Sequence, residues 1–245
     1  MPSRAPPTAD RLASDGSPYP DRARPTFERD VRAMFTYIAE RYDWFDHVAS
    51  LGNDYLWRPR ALWDLDRFRE RRPTLRVLDV GCGTGDLTVL SAIHFPHAKV
   101  VGADFTAAML QRAVERTDPK RYDGRVAYGR ATALRLPFRS GQFDVAMSAF
   151  VARNLPRLGD AFREIRRVLS PTGTLLTLEI TEPQSPAFRQ IFHAYFDRVV
   201  PWLGAAVHSA GPYRYLPESL RFLPGREGMI RLLRDAGFSR VEARS

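Results

Sequence analysis

The chain has 245 residues, 44% of them hydrophobic, and a formal net charge of +9. This size fits one globular domain, the scattered arginines form no dense basic run of the kind that binds nucleic acid, and the apolar C-terminal third has no stretch long enough to span a bilayer. A single cysteine excludes an internal disulfide and, without a secretion signal, predicts a cytoplasmic protein, while the five histidines show no metal-ligand spacing, so we expect no metal.

The N-terminal part of the chain divides into a tail and two helical segments. Residues 1–26 hold six prolines and no hydrophobic periodicity, which predicts a disordered tail in front of one folded domain over 27–245. A first helix begins near Thr26, where apolar residues recur at helical spacing. A second helical segment runs from about Trp57 to Arg72 and stops at a proline.

Strands and helices alternate through the middle of the chain. We predict strands at 75–80, 98–103, 124–129, 142–148 and 173–180, with helices at 86–94, 106–116 and 158–169. This alternation is typical of a doubly wound, mostly parallel α/β sheet. An aromatic-rich insertion over 184–223 is predicted to cover the ligand crevice as a lid. A last helix at 226–236 and a sixth strand at 238–243 follow it.

The most informative segment is the turn that follows the first predicted strand. Glycines at 81, 83 and 85 remove every second Cβ from this strand-to-helix turn, so a ligand can lie against bare backbone. The spacing G-x-G-x-G differs from the G-x-G-x-x-G of NAD enzymes. The alternative interpretation is a tight turn that binds nothing.

A second short apolar strand ends in Asp104, about 20 residues further on. An acid at this place in doubly wound folds accepts hydrogen bonds from ribose hydroxyls, and a carboxylate can accept two of them. The alternative is that Asp104 caps the following helix. The two roles are compatible.

Several segments together resemble the ubiquinone/menaquinone biosynthesis C-methyltransferase family, whose members are class I methyltransferases. The resemblance covers roughly residues 30–240, and its most selective parts are Tyr42-Asp43, Arg153-Asn154 and Tyr213 to Ser219. It implies S-adenosylmethionine as cofactor and a prenylated quinol as the methyl acceptor. The cofactor-binding residues that it implies are Asp79, Gly81, Gly83, Thr84, Gly85, Asp104, Arg130 and Ala131.

The same resemblance implies catalytic roles for three residues. Arg153 would stabilise the phenolate that develops on the quinol ring, Asn154 would orient the ring or a water, and Tyr42 would close the other side. An ordinary surface arginine and a packing tyrosine are the alternatives for Arg153 and Tyr42. Methyl transfer to carbon needs positioning and help with one proton rather than a nucleophilic residue.

The chain departs from the family pattern at four places, one of which is Asp46 in place of the usual Asn after Tyr-Asp. Arg130 precedes Ala131 where the family usually has Asp or Asn on the adenine amine, so we expect adenine to be recognised by backbone or stacking. Ala149 replaces a serine near the cofactor. The family's last antiparallel strand is missing, so we expect 239–244 to pair with 173–180 and cover an open edge.

The sequence leaves the exact function open in several respects. One alternative is a methyltransferase for another small hydrophobic phenol, and another is a non-catalytic relative that keeps the fold. A benzoquinol and a naphthoquinol acceptor are equally compatible with the motifs. Homodimer formation and peripheral contact with the inner membrane face stay open, since a basic surface suits anionic lipid.

Overall fold

The computed structural model describes residues 26–40, 52–68, 74–118, 121–181, 183, 185–199, 215, 219–220 and 223–244. Apart from Thr26, the predicted tail lies outside these residues. Tyr42 and much of the predicted lid also lie outside them.

Five parallel strands form the centre of the molecule. They are β1 (Arg76–Val80), β2 (Lys99–Asp104), β3 (Val126–Arg130), β4 (Phe143–Ala149) and β5 (Leu169–Leu178). Their order across the sheet is β3-β2-β1-β4-β5. The chain therefore winds outward from β1 in one direction and then in the other, which confirms the doubly wound α/β fold and puts the reversal point between β1 and β4.

The helices lie before, between and after the strands. Two precede β1, namely α1 (Phe27–Ile38) and α2 (Asp54–Trp63). Crossover helices α3 (Asp86–His94), α4 (Ala107–Arg116) and α5 (Leu158–Val168) connect the strands, and α6 (Pro186–Ala194) and α7 (Arg226–Asp235) follow β5. In the described part of the chain, no helix combines the length and the apolar character that crossing a membrane requires.

Side chains that alternate along β1 enter two separate cores. Leu78 and Val80 pack on the face covered by α5 and α7, together with Phe162 and Ile165. Val77 packs on the opposite face, where α2 contributes the buried Leu62, the residues just after α2 contribute Leu65, and α3 contributes Leu87. Both faces of the central strands are therefore apolar, as a parallel sheet covered by helices on both sides requires.

Helix α1 lies beside the carboxyl ends of the strands. Its last turn packs Ile38 against Met109 of α4. Its first turns pack Phe27 and Val31 against Tyr215, which comes from the segment predicted as a lid. The helix thereby joins α4 to the C-terminal half of the chain.

The predicted sixth strand is wrong. Residues 239–244 form no strand and do not pair with β5, whose one partner in the described sheet is β4. Val241 packs instead against the core beside α5 and α7. Glu242 forms ion pairs with Arg240 and Arg244, and Arg244 also pairs with Asp64. These charged side chains therefore stay at the surface.

Candidate active site

The three glycines after β1 all have left-handed backbone, but they serve different purposes. Their φ angles are +73° at Gly81, +55° at Gly83 and +90° at Gly85. A Cβ on Gly81 would lie 2.5 Å from Val151, and one on Gly85 would lie 2.6 Å from the Tyr128 hydroxyl. A Cβ on Gly83 would meet nothing within 4 Å. Gly83 therefore presents its bare face to open space, whereas the other two are required by close packing.

The N–H groups of this loop are bonded within the protein. Gly81 and Cys82 donate to the Ala103 carbonyl at 2.7 and 3.1 Å, and Gly85 donates to the Cys82 carbonyl at 2.9 Å. Gly83 donates to Asp104 Oδ2 at 3.0 Å. These four N–H groups are therefore not available to a phosphate, unlike the donors of phosphate-binding glycine-rich turns.

Asp104, at the end of β2, is buried and holds the loop. Its Oδ1 accepts the Thr106 N–H at 2.8 Å, in addition to the Gly83 bond on Oδ2. Burial raises the pKa of this carboxyl, and the two N–H donors oppose that rise. The residue that caps α4 is Thr106, so the alternative in which Asp104 is the helix cap is wrong. Weaker contributions from further donors of Thr106 and Phe105 also lower the Asp104 pKa, so a ligand hydroxyl would share the carboxylate with protein donors.

Asp79 lies behind the loop. It is 1% exposed and accepts a hydrogen bond of 2.6 Å from Thr88 Oγ1 on α3. Burial raises its pKa to about 7, against the opposing hydrogen bond from Thr88. The carboxyl is not among the groups that line the pocket described below.

This raised pKa predicts a pH-dependent stability. The folded state keeps the proton on Asp79 up to about pH 7, whereas the unfolded chain releases it near the ordinary pKa. The stabilisation that the protonated carboxyl gives is complete below the pKa of the unfolded state. It is lost as the pH rises through the pKa of the folded state. Asp79→Asn keeps an acceptor for Thr88 and removes the titration. Its free energy of unfolding relative to wild type should rise by about 3 kcal/mol between pH 5 and pH 8. Urea unfolding at both pH values measures this, and an unchanged difference contradicts it.

A pocket that opens to solvent lies at the carboxyl ends of the strands, with about 660 Å³ of empty space when the open part is counted. Its walls come from the glycine loop, from the residues that follow β2, β3 and β4, and from α1. The lining residues are Glu28, Phe35, Gly81, Gly83, Asp104, Phe105, Met109, Ala131, Thr132, Ala133, Ala149, Phe150, Val151, Asn154, Leu155 and Pro156.

The residues after β3 only partly follow the sequence prediction. Ala131 lines the pocket, and its N–H donates to the Asp104 carbonyl at 2.9 Å. Arg130 is exposed, is not part of the lining, and donates from Nε to the Phe105 carbonyl at 3.3 Å. The polar side chain that reaches the pocket here is Thr132. Thr84 is buried beside a separate hollow of about 590 Å³ between α2 and α3.

A short helical turn, Ala152–Asn154, holds the second predicted motif, of which Asn154 lines the pocket and Arg153 is buried outside the lining. Asn154 donates from Nδ2 to the Phe150 carbonyl at 3.3 Å and accepts at Oδ1 from the Tyr215 hydroxyl at 3.0 Å. Arg153 is 4% exposed, which excludes the alternative of an ordinary surface arginine. The structure thus brings Asn154 together with the loop and Asp104.

Phe150 is a site residue that the sequence did not reveal. It lines the pocket directly after β4 and has a left-handed φ of +60°, a conformation that costs a bulky residue energy. The Arg58 guanidinium carbon lies 5.6 Å from its ring centre. Backbone strain at a pocket wall is typical of functional sites. A left-handed phenylalanine leaves no mark in the sequence.

Comparison with known proteins agrees with this geometry. The model of the ubiE/COQ5 methyltransferase family matches residues 24–245. The chain is 41% identical over 207 residues to the demethylmenaquinone methyltransferase of Thermus thermophilus, covering 84% of this chain and 91% of that one. It is 37% identical over 215 residues to the ubiquinone/menaquinone biosynthesis C-methyltransferase UbiE of Rhizobium johnstonii, covering 86% and 82%.

Solved structures agree on the fold. One of them is a SAM-dependent methyltransferase of Thermotoga maritima, described as a possible histamine N-methyltransferase. It superposes with a TM-score of 0.57 and is 22% identical, and the match covers 84% of this chain and 81% of that one. Phosphoethanolamine N-methyltransferase 2 of Haemonchus contortus, in complex with S-adenosyl-L-methionine, gives 0.55 at 23% identity over 85% and 41%. The family match and the shared architecture lead to one conclusion: this chain belongs to the ubiE/COQ5 methyltransferase family.

Proposed function

We propose that this protein transfers the methyl group of S-adenosylmethionine to a ring carbon of a prenylated quinol in respiratory quinone biosynthesis. The observation that carries the proposal is the pocket at the reversal point of the sheet, where bare Gly83 backbone and the buried Asp104 carboxylate lie side by side. Family membership supplies the reaction class, and the relatives named for demethylmenaquinone and ubiquinone/menaquinone methylation supply the acceptor class.

The residues present fit the cofactor, which supplies a methyl group on a positively charged sulfur. Asp104 would accept hydrogen bonds from the ribose hydroxyls alongside those from its protein donors. Gly81 and Gly83 would let the ligand contact backbone, while Gly85, Thr84 and Asp79 would keep the loop in place from behind. Ala131 would form part of the wall beside the adenine. Arg130 lies outside the pocket lining, so we assign it at most an indirect role.

We assign activation of the methyl acceptor to the short helical turn Ala152–Asn154, which follows β4. A quinol ring carbon becomes nucleophilic as a ring hydroxyl begins to lose its proton. A buried guanidinium at Arg153 would stabilise the negative charge that develops on that oxygen, as hydrogen-bond donors in oxyanion sites do. Asn154 would orient the ring or a water that takes the proton. Tyr42, from the resemblance, would act from the other side.

The apolar half of the pocket fits an aromatic acceptor with a hydrocarbon tail. Phe150, Val151, Leu155 and Pro156 line this part. Such walls exclude water from the charge-developing oxygen, which strengthens its interaction with a nearby cation. They would also accept another hydrophobic phenol, so the acceptor must be tested directly.

Labelled methyl transfer tests the proposal. Purified protein would be incubated with methyl-labelled S-adenosylmethionine and three reduced acceptors: demethylmenaquinol, a demethylated polyprenyl benzoquinol and a simple phenol. We expect label in a prenylated quinol and little in the phenol. Preferred labelling of the phenol would favour the alternative phenolic methyltransferase. A protein that binds no S-adenosylmethionine would contradict both.

Tyr215 is predicted to hold Asn154 in its working orientation. Its hydroxyl hydrogen bond to Oδ1 and the Asn154 bond to Phe150 together fix which way the amide faces. Tyr215→Phe should lower kcat about three- to tenfold, the scale of one neutral hydrogen bond, with cofactor Kd unchanged. Tyr122→Phe, a buried tyrosine in the core on the other face of the sheet, is the matched control. Equal kcat values for the two variants would remove Tyr215 from this role.

Contact with a membrane surface is proposed for α6. Phe188 and Ile191 lie on this helix with 66% and 65% of their surface exposed, and Arg189 beside them is exposed too. An apolar face flanked by arginine suits an anionic lipid interface, where a prenylated substrate resides. Replacing both apolar residues by serine should abolish co-sedimentation with phosphatidylglycerol vesicles, while Val114→Ser on α4 should not. Unchanged co-sedimentation of the double variant would contradict the proposal.

A further inference from the structure

Two carboxylates line the pocket in the part of the chain that the structure describes. Asp104 is one, and Glu28, in the first turn of α1, is the other. Glu28 is half-buried, and its Oε1 accepts a hydrogen bond of 3.4 Å from Thr132 Oγ1. A carboxylate that a neighbouring hydroxyl holds at a pocket wall still has lone pairs free for a ligand donor.

The sheet order places these carboxylates at different parts of a bound nucleoside. Asp104 follows β2, between the glycine loop on the β1 side and Thr132 on the β3 side. A ligand with its ribose at Asp104 and its amino-acid arm along the loop therefore has its base on the β3 side. Glu28 reaches the pocket on that side, because its hydrogen-bond partner is Thr132.

Apart from Glu28 and Thr132, the residues that line the pocket on the β3 side are apolar, and the charged Arg130 lies outside the lining. Phe105, Met109, Ala131 and Ala133 form flat or small apolar surfaces suited to a purine. The Arg130 side chain also carries only donors. An adenine base exposes an exocyclic amine at the end opposite its ribose, and that amine needs an acceptor. Glu28 is the charged acceptor on this side.

We propose that Glu28 accepts a hydrogen bond from the adenine amine of the cofactor, with Thr132 holding the carboxylate in position. The inference rests on the proposed function, since it takes S-adenosylmethionine as the ligand. Helix α1 thereby does more than close the pocket: it makes the site selective for adenine. The acceptor comes from the N-terminal helix rather than from the residue that ends β3.

The test compares two product analogues that differ only along the C6–N1 edge of the base. S-adenosylhomocysteine carries the 6-amine and an unprotonated N1, whereas S-inosylhomocysteine carries a C6 carbonyl oxygen, which a carboxylate repels, and an N1–H. Calorimetric titration of wild-type protein should show at least about a tenfold preference for the adenosyl compound, the scale of a hydrogen bond to a charged group. In Glu28→Ala the ratio of the two Kd values should fall close to one.

Two further variants make the outcome decisive. Glu28→Gln has almost the same shape and an amide that can either accept or donate, so its ratio should also fall, through tighter binding of the inosyl compound. Asp30→Ala is the matched control, because Asp30 is the other acid in the first turn of α1, accepts from Thr26 at 2.8 Å and does not line the pocket. Its ratio should equal that of wild type.

The opposing results are equally specific. An unchanged ratio in Glu28→Ala and Glu28→Gln overturns the inference and leaves the proposed function intact. A Glu28→Ala variant that loses affinity for both compounds equally also overturns it, because Glu28 would then contact the amino-acid arm or the ribose. Wild-type protein that binds neither compound contradicts the proposed function itself.

Discussion

Gly83→Val is expected to raise the Kd for S-adenosylmethionine by about 10- to 100-fold, the scale of forcing extra methyl groups into a filled site. The added side chain would project into the open face of the loop, which lines the pocket beside Asp104. Calorimetric titration measures the loss. A Kd equal to that of wild type would mean that the ligand does not lie against this backbone.

Gly124→Val separates the loss of binding from backbone strain. Gly124 has a φ of +68°, a Cβ there would also meet nothing within 4 Å, and it does not line the pocket. Both variants force a branched residue into left-handed backbone, so both should lose at least roughly 1–2 kcal/mol of stability. Only the Gly83 variant should lose affinity for the cofactor. Equal losses of affinity would attribute the effect to strain.

Arg153→Ala is expected to lower kcat about 100-fold while cofactor Kd changes little. The proposed partner of the guanidinium is charge that develops on the acceptor oxygen during transfer, so its removal affects the transition state more than the ground state. Steady-state kinetics with the reduced quinol, alongside cofactor titration, measures the two effects separately. An unchanged kcat would remove Arg153 from the reaction.

Two variants control for charge and for folding. Arg157→Ala removes an exposed arginine a few residues further along, which pairs with Asp160 at 3.3 Å, and should leave kcat unchanged. Arg153→Lys keeps the positive charge without the planar fork and should recover only part of the lost rate. If the loss of kcat in Arg153→Ala equals the loss of folded protein, the residue has a packing role.

The sheet was predictable because its signals are local. Each strand is a short apolar run bounded by turn residues, and the predicted and observed bounds differ by one or two residues for the first four strands. The exception is β5, which begins at Leu169 rather than 173. The prediction leaves 170–172 between a helix and the strand, whereas the observed strand includes them, with an irregular register against β4 between Phe143 and Val145.

The part of the site that the sequence indicates most directly lies in one βαβ unit. The glycine loop and Asp104 belong to neighbouring strand ends and follow a known spacing, so the sequence could indicate both. Glu28 and Thr132 are 104 residues apart in sequence and meet only because α1 lies over the strand ends. No local pattern marks such a pair.

The proposed methylation of a quinol ring carbon is tested most directly by locating the transferred methyl group in the product. The protein would be incubated with S-adenosylmethionine carrying an isotope-labelled methyl group and with demethylmenaquinol, and the extracted product would be examined by carbon NMR. We expect a labelled methyl group on a ring carbon of the product, formed only when both compounds are present. A labelled methoxy group, or no transfer at saturating cofactor, would contradict it.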